Sequence, residues 1–435
     1  MRDALMAALL VGTALWALRR PWVGVMAWSL VSLMSPHAQW GYASRDWPVA
    51  SGVAVCTLLG LLFTKDKQNP ISGAAPWCLL AFVIWICITL PASIFVDQSY
   101  PLWERSMKIF LMSFVALALV NDRHKLNVFI AINVISIGVY GVKGGLFTVL
   151  TGGNYRVWGP GGFIEGNNEV ALAVIMVIPL MRYLQQQMTD KRAILAMTGA
   201  MALCVVMALG SYSRGAFLGV TAMGLFFWLK GRNKLLWGVL IVVISLLAAS
   251  VMPEQWWERM NTIQSYDSDN SAQGRINAWW MAFNLAKDRL LGGGFMIYTA
   301  SVFHLYAPVP DDVHAAHSIY FQILGEHGFI GLFLFMAIGV STWLTAGWLT
   351  QTGRTDKRFA WAADLGPMIQ VSMIGYAVAG AFLSLAYFDL PYNLMIMAVV
   401  AKRYVMEQIA RPVLAANAAD EQQAEAATLL PTVRR

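Results

Sequence analysis

Charge is scarce in this sequence. Only 13% of its 435 residues are Asp, Glu, Lys or Arg, and 58% are hydrophobic. Soluble domains carry about 25% charged and about 45–50% apolar residues. That shortfall excludes the soluble two-domain enzyme that length alone suggests. It excludes disorder as well, because disordered chains are polar and poor in aromatics. Cysteine is scarce. Cys56, Cys78, Cys87 and Cys204 all lie inside apolar runs without CxxC or metal-ligand spacing, so they read as core residues. An internal repeat is absent, and so is the alternating pattern of a membrane β-barrel.

Long apolar runs and 18 Trp, 21 Phe and 14 Tyr fill the chain instead. The runs lie near 4–18, 22–36, 48–63, 76–95, 104–120, 126–142, 168–186, 193–210, 215–229, 234–251, 318–349, 366–387 and 390–404. Their lengths suit a hydrocarbon core of about 30 Å, and backbone groups in lipid must be satisfied within helices. The sequence therefore predicts an all-α polytopic membrane protein with about twelve spans, the first three runs and the last being short. The first run is read as a membrane segment and not a signal peptide, because Arg19 and Arg20 follow it.

The net charge is +7. Its cations sit in short clusters between runs, such as Lys65 and Lys67, Arg123 and Lys125, Lys191 and Arg192, Arg354 to Arg358, and Lys402 and Arg403. Alternate connections carry far fewer, which is a topology signal and not a nucleic-acid patch. The rich side is cytoplasmic on this reading. The predicted organisation is helices over 1–251 with a Gly-rich outward loop near 143–167, then an outward subdomain over 252–316. Helices over 317–405 and a disordered cytoplasmic tail over 406–435 follow.

Four outward positions stand apart from the topology signal: Arg156, Arg214, Arg275 and the His317 region. Arg214, in GSYSRGAFLG, reads either as a snorkelling interfacial cation or as an anion clamp whose planar fork suits phosphate oxygens. Arg275 is expected to start an interfacial helix, where a cation opposes the helix dipole and so points to a ligand. Arg156 sits among glycines that permit close backbone approach to a ligand. Lys143, Arg105 and Lys108 are secondary cations near the same face. His314 and His317 read as a metal pair, a general base or hydrogen-bonded helix-start residues, and no third metal ligand is evident. Asp267 and Asp269 form a DxD that reads as divalent-ion ligands or as solvated loop residues.

Together these stretches resemble the family of O-antigen ligases and Wzy-type polymerases. The resemblance rests on R-x-x-G followed by N-N-E (Arg156 to Glu169), S-R-G (Ser213 to Gly215) and G-R…W…GGGF (Gly274 to Phe295). The fourth stretch is H-S-x-Y-x-x-x-L-x-E-x-G-x-x-G-L (His317 to Leu332). RRPWVGV and MSPHAQWG also resemble a ligase-like branch associated with exosortase systems in Gram-negative bacteria. The resemblance implies a fold like that of the C-type membrane glycosyltransferases. It also implies transfer of a glycan from undecaprenyl pyrophosphate to a hydroxyl of lipid A–core, at the periplasmic face of the inner membrane, without metal or other cofactor. It makes His317, Arg214 and Arg275 catalytic and matches Arg156 to a frequent family position; with Arg156, the residues Lys143, Asn168, His314, Ser318 and Tyr320 are the substrate-binding candidates. A base and an in-line attack imply inversion. The partners implied are the lipid-linked donor, the lipid A–core acceptor and membrane lipids. A polymerase or protein O-oligosaccharyltransferase is the alternative within the family, and a lipid-linked-sugar flippase the alternative outside it. A transporter would place its charges near the bilayer midplane.

Overall fold

The computed structural model describes residues 2–40, 47–230, 252–261 and 270–429, and every regular element among them is helical. The first half comprises α1 (Arg2–Arg19), α2 (Pro21–Met34), α3 (Pro36–Trp40), α4 (Val49–Phe63), α5 (Ala74–Thr89), α6 (Val96–Leu119) and α7 (Arg123–Leu150). Next come α8 (Asn167–Gln186), α9 (Lys191–Gly210) and α10 (Arg214–Lys230). The segment expected to be an outward subdomain supplies α11 (Glu254–Asn261), α12 (Asn270–Asp288) and α13 (Ala300–Tyr306). The chain then forms α14 (Ile319–Thr355), α15 (Ala360–Gly380) and α16 (Asp389–Leu429). Among the described residues four helices, α7, α8, α9 and α14, are long and apolar enough to cross a membrane. Five more, α1, α2, α4, α5 and α10, are apolar but shorter. The run expected at 234–251 lies outside the described residues.

Helix limits follow local chemistry. Pro21 opens α2, where its missing N–H costs nothing. Asp122 and Asp190 cap α7 and α9 by accepting hydrogen bonds from Lys125 N (2.8 Å) and Arg192 N (2.9 Å). The centre is the first part of α16, where Leu394 to Val400 are almost wholly buried. A helix apolar on every side belongs inside a protein. It packs against α14, α15, α6 and α7, while α8 and α10 cover α15. At its far end Arg403 donates to Leu117 O (2.7 Å) and Val120 O (3.1 Å), satisfying carbonyls at the end of α6.

Three expectations change. Lys143 lies inside α7, which runs on to Leu150, so the Gly-rich loop is shorter than predicted and spans 151–166. Helical geometry continues over 406–429, where a disordered tail was expected. The Ala, Glu and Gln of that stretch are strong helix formers even without an apolar face. The run expected at 366–387 stops as helix at Gly380, and turns over 381–388 lead into α16.

The GGGF segment and α14 meet backbone to backbone. Gly293 N donates to Gly325 O, and Gly294 N to Glu326 O, each at 2.9 Å. α14 itself breaks at Gly328, with φ 69°. A Cβ at Gly328 would lie 2.2 Å from Leu290 O, and one at Gly292, φ 68°, 2.6 Å from Glu326 O. Neither neighbour is a flexible side chain, and both φ values favour glycine. Gly328→Ala is expected to cost about 2 kcal/mol or more and to lower the apparent melting temperature in detergent. Gly199→Ala, which meets nothing within 4 Å, should leave it unchanged or slightly raised.

Candidate functional site

The S-R-G stretch is a helix start. Ser213 precedes α10, and its Oγ accepts from Ala216 N at 3.1 Å, the bond of an N-cap. Arg214 is therefore the first residue of α10, a position where the helix dipole disfavours a cation. Gly215 lets α15 approach: a Cβ there would sit 3.4 Å from Ala379 O and from Phe382 Cβ. The N-N-E stretch opens α8 in the same place. Asn167 is buried and donates to Ser211 O at 2.7 Å, tying the start of α8 to the turn before α10. Two helix N-termini thus converge, and both favour an anion between them.

A small cavity lies at this junction, lined by Asn168, Ser213, Arg214, Arg259, Arg275 and Phe382, with Gly215 and Leu383 completing the wall. The described lining holds three arginines and no carboxylate. Glu169 lies close enough to Arg275 to feel its charge. Arg275 does not start its helix, as the sequence suggested. α12 begins at Asn270, so Arg275 stands in the second turn and the dipole argument applies to Arg214 instead.

α12 also braces the segment that holds the histidines. Gly274 lies under His314, whose Nδ1 a Cβ there would meet at 2.5 Å. One turn beyond Arg275, Trp279 donates to Ala316 O at 2.7 Å and stacks on Phe321 with centroids 4.9 Å apart. Asn277 donates to Val309 O and Asp312 O and accepts from Val309 N. This lacing holds half-buried His317 beside Arg275. His314 Nδ1 lies 2.8 Å from Asp312 Oδ1. His317 has φ 41° and Tyr212 φ 59°, two of three positive-φ non-glycine residues among those described. Such backbone costs about 1–3 kcal/mol per residue and clusters at functional sites.

Other predicted site residues go elsewhere. Lys143 and Arg156 line a separate, wider cleft with Gln39, Tyr140 and Trp158. Tyr212 stands between: its ring lies 5.5 Å from the Arg156 guanidinium, and its hydroxyl donates to Gly153 O at 2.6 Å. Arg105 and Lys108 line another cavity with His37. Ser318 is buried at the start of α14. Tyr320 donates to Ala377 O at 2.9 Å and faces an apolar groove between α14, α15 and α16. The groove begins at Ile319, two residues from His317, and runs past Phe335, Trp343 and Met373. Asp267 and Asp269 lie outside the described residues. Among the described residues no group of three or more His, Cys, Asp or Glu is placed to hold a metal.

Two features escaped the sequence reading. Arg259, on α11, has no motif around it, and only folding brings it to the cavity. Glu326 and His327 form a buried chain: His327 lies 2.8 Å from both Tyr387 Oη and Thr89 Oγ1, and Tyr387 donates to Glu326. Phe295 packs on His327 and Tyr387. The Glu of the fourth stretch was visible, but Tyr387 reaches it from the turn before α16, and Thr89 of α5 reaches the adjacent His327.

Burial, then the Arg275 charge, then His314, hold the His317 imidazole below its ordinary pKa of about 6.5. A lowered pKa keeps the ring neutral, hence able to accept a proton, to lower pH. If His317 is the base, the acid limb of kcat/KM should fall below about 6.5. A limb above that value in a pH–rate profile would contradict the assignment.

Residues 199–336 match the family model described as O-antigen ligase. Residues 1–189 match a model described only as a family of unknown function. No curated protein matches the chain. The first match contains Arg214, Arg259, Arg275 and His317, whereas Lys143, Arg156 and Asn168 fall in the second.

Proposed function

We propose that this chain, whose residues 199–336 belong to the O-antigen ligase family, transfers a glycan from undecaprenyl pyrophosphate to a hydroxyl of lipid A–core. The observation that carries the reading is the cavity where Arg214, Arg259 and Arg275 meet at two helix N-termini, with His317 beside Arg275. A pyrophosphate is the anion this arrangement suits, since guanidinium forks match phosphate oxygens in pairs. The neighbouring apolar groove suits a polyprenyl chain. Arg214 and Arg275 hold the pyrophosphate. His317 accepts the acceptor proton as the hydroxyl oxygen attacks the anomeric carbon on the face opposite the departing phosphate, which inverts that centre. The sugar phosphate leaves without an acid because cations stabilise it. The site ends of α8, α10 and α15 lie at the face opposite the Lys191–Arg192, Lys357–Arg358 and Lys402–Arg403 clusters. The positive-inside rule supports a periplasmic site and a cytoplasmic C-terminus.

Cells lacking the gene test the acceptor. Loss of long-chain lipopolysaccharide with polymer retained on carrier lipid is expected. Single-unit capping would instead indicate a polymerase, and a normal pattern a protein or other glycan acceptor.

With purified protein and lipid-linked donor, His317→Ala should abolish transfer while the protein stays folded, and His314→Ala should be milder. Arg214→Lys and Arg275→Lys should each lose most activity, because Lys keeps charge without the fork. Near-normal transfer by both Lys variants would sink the clamp.

Transfer should also persist in excess chelator. Strong inhibition restored by magnesium or manganese would assign the divalent-ion role to Asp267 and Asp269.

A further inference from the structure

We propose that Arg259 is a third donor-site cation, matched to the charge that appears on the pyrophosphate as the glycosyl bond breaks. The inference rests on the pyrophosphate reading above and assigns to α11 a direct part in the reaction. Arg259 lines the same cavity as Arg214 and Arg275. α11 is held against the turn before α10. Trp256 is buried, donates to Leu209 O at 3.0 Å and meets Phe217 edge to face at 5.8 Å. Met260 joins Trp256 and Tyr212 in one apolar cluster. Arg259 falls between these two anchors, one residue before Met260, so docking α11 delivers its guanidinium to the cavity. α11 is amphipathic, with Glu254, Gln255 and Glu258 exposed while Trp256 and Met260 are buried.

Charge balance supplies the chemical reason. The donor is a pyrophosphate diester, with one negative charge on each phosphate. In the transfer the bond from the anomeric carbon to phosphate oxygen breaks and its electron pair goes to that oxygen. The acceptor oxygen bonds to the carbon, and its proton goes to His317. The polyprenyl pyrophosphate that departs therefore carries one more negative charge than the bound donor. Two arginines answer the ground-state charges, and a third has its full effect only as the leaving oxygen becomes anionic. Interactions stronger in the transition state than in the ground state raise kcat, not affinity for substrate.

The test is steady-state kinetics of the full-length protein in detergent with lipid-linked donor. Arg259→Gln should lower kcat by about a hundredfold, the scale of losing one oxyanion donor, while donor KM changes little. Inhibition by undecaprenyl pyrophosphate should weaken, and inhibition by undecaprenyl monophosphate should not. Arg259→Lys should recover part of the lost kcat, since a point cation still answers the new charge; packing alone would not rank Lys above Gln. If Arg259→Gln folds poorly, Arg259→Lys against wild type carries the test, with lowered kcat and unchanged donor KM expected. Glu258→Gln, on the exposed face of α11, should behave as wild type. Wild-type kcat in Arg259→Gln, a defect confined to donor KM, or Lys no better than Gln would overturn the inference. Wild-type protein that transfers no glycan would instead overturn the reading of the whole site.

Discussion

Gathering three guanidinium groups around one small cavity at the border of an apolar bundle is the constraint on which this structure depends. Like charges brought together repel, and more strongly where the effective dielectric is low. The N-termini of α8 and α10 add positive potential to the same space. Such an arrangement favours an anion between the helix ends. The rest of the fold keeps it assembled. Asn167 ties α8 to the turn before α10, Trp256 anchors α11 to that turn, and Trp279 fastens α12 to the segment that carries His317.

The glycine-rich stretches serve this assembly more than they touch ligand. Gly292 and Gly328 allow the chain leaving α12 to cross α14 at backbone distance. Gly274 makes room for the His314 ring, and Gly215 admits the end of α15. The crossing also places Phe295 over His327 and Tyr387, beside the protein-bonded carboxyl of Glu326. The Glu of the fourth stretch is thus part of a buried hydrogen-bonded chain that joins α5, α14 and the turn before α16. Its local role is to fix the base of the outward segment. A buried polar network is favourable only when its members are satisfied.

Placement of charge also separates an enzyme from a carrier. The site cations come from α10, α11 and α12 and share one cavity, and the apolar groove begins two residues from His317. A transporter concentrates such groups near the bilayer midplane, at the interface of repeats. Separation of Lys143 and Arg156 from the Arg214 cavity by Tyr212 divides the predicted cation set in two. One set sits in a tight cavity and the other in a wide cleft with Tyr140 and Trp158.

Sequence by itself determined the helical class, the membrane-compatible composition and the catalytic candidates Arg214, Arg275 and His317. These depend on hydropathy, on local charge and on short motifs, all of which are one-dimensional. It misjudged properties that depend on neighbours in space. α7 continues through Lys143, and α12 starts before Arg275, because helix limits reflect packing and capping as much as composition. The sequence shows Arg259 as an ordinary polar residue on a short amphipathic helix, 45 positions from Arg214. Only the tertiary structure places it in the cavity, because Trp256 and Met260 bury themselves against Leu209 and Tyr212 and carry the intervening cation with them. Which cations share a cavity is decided by apolar anchors far apart in the chain, and hydrophobic burial has no sequence separation.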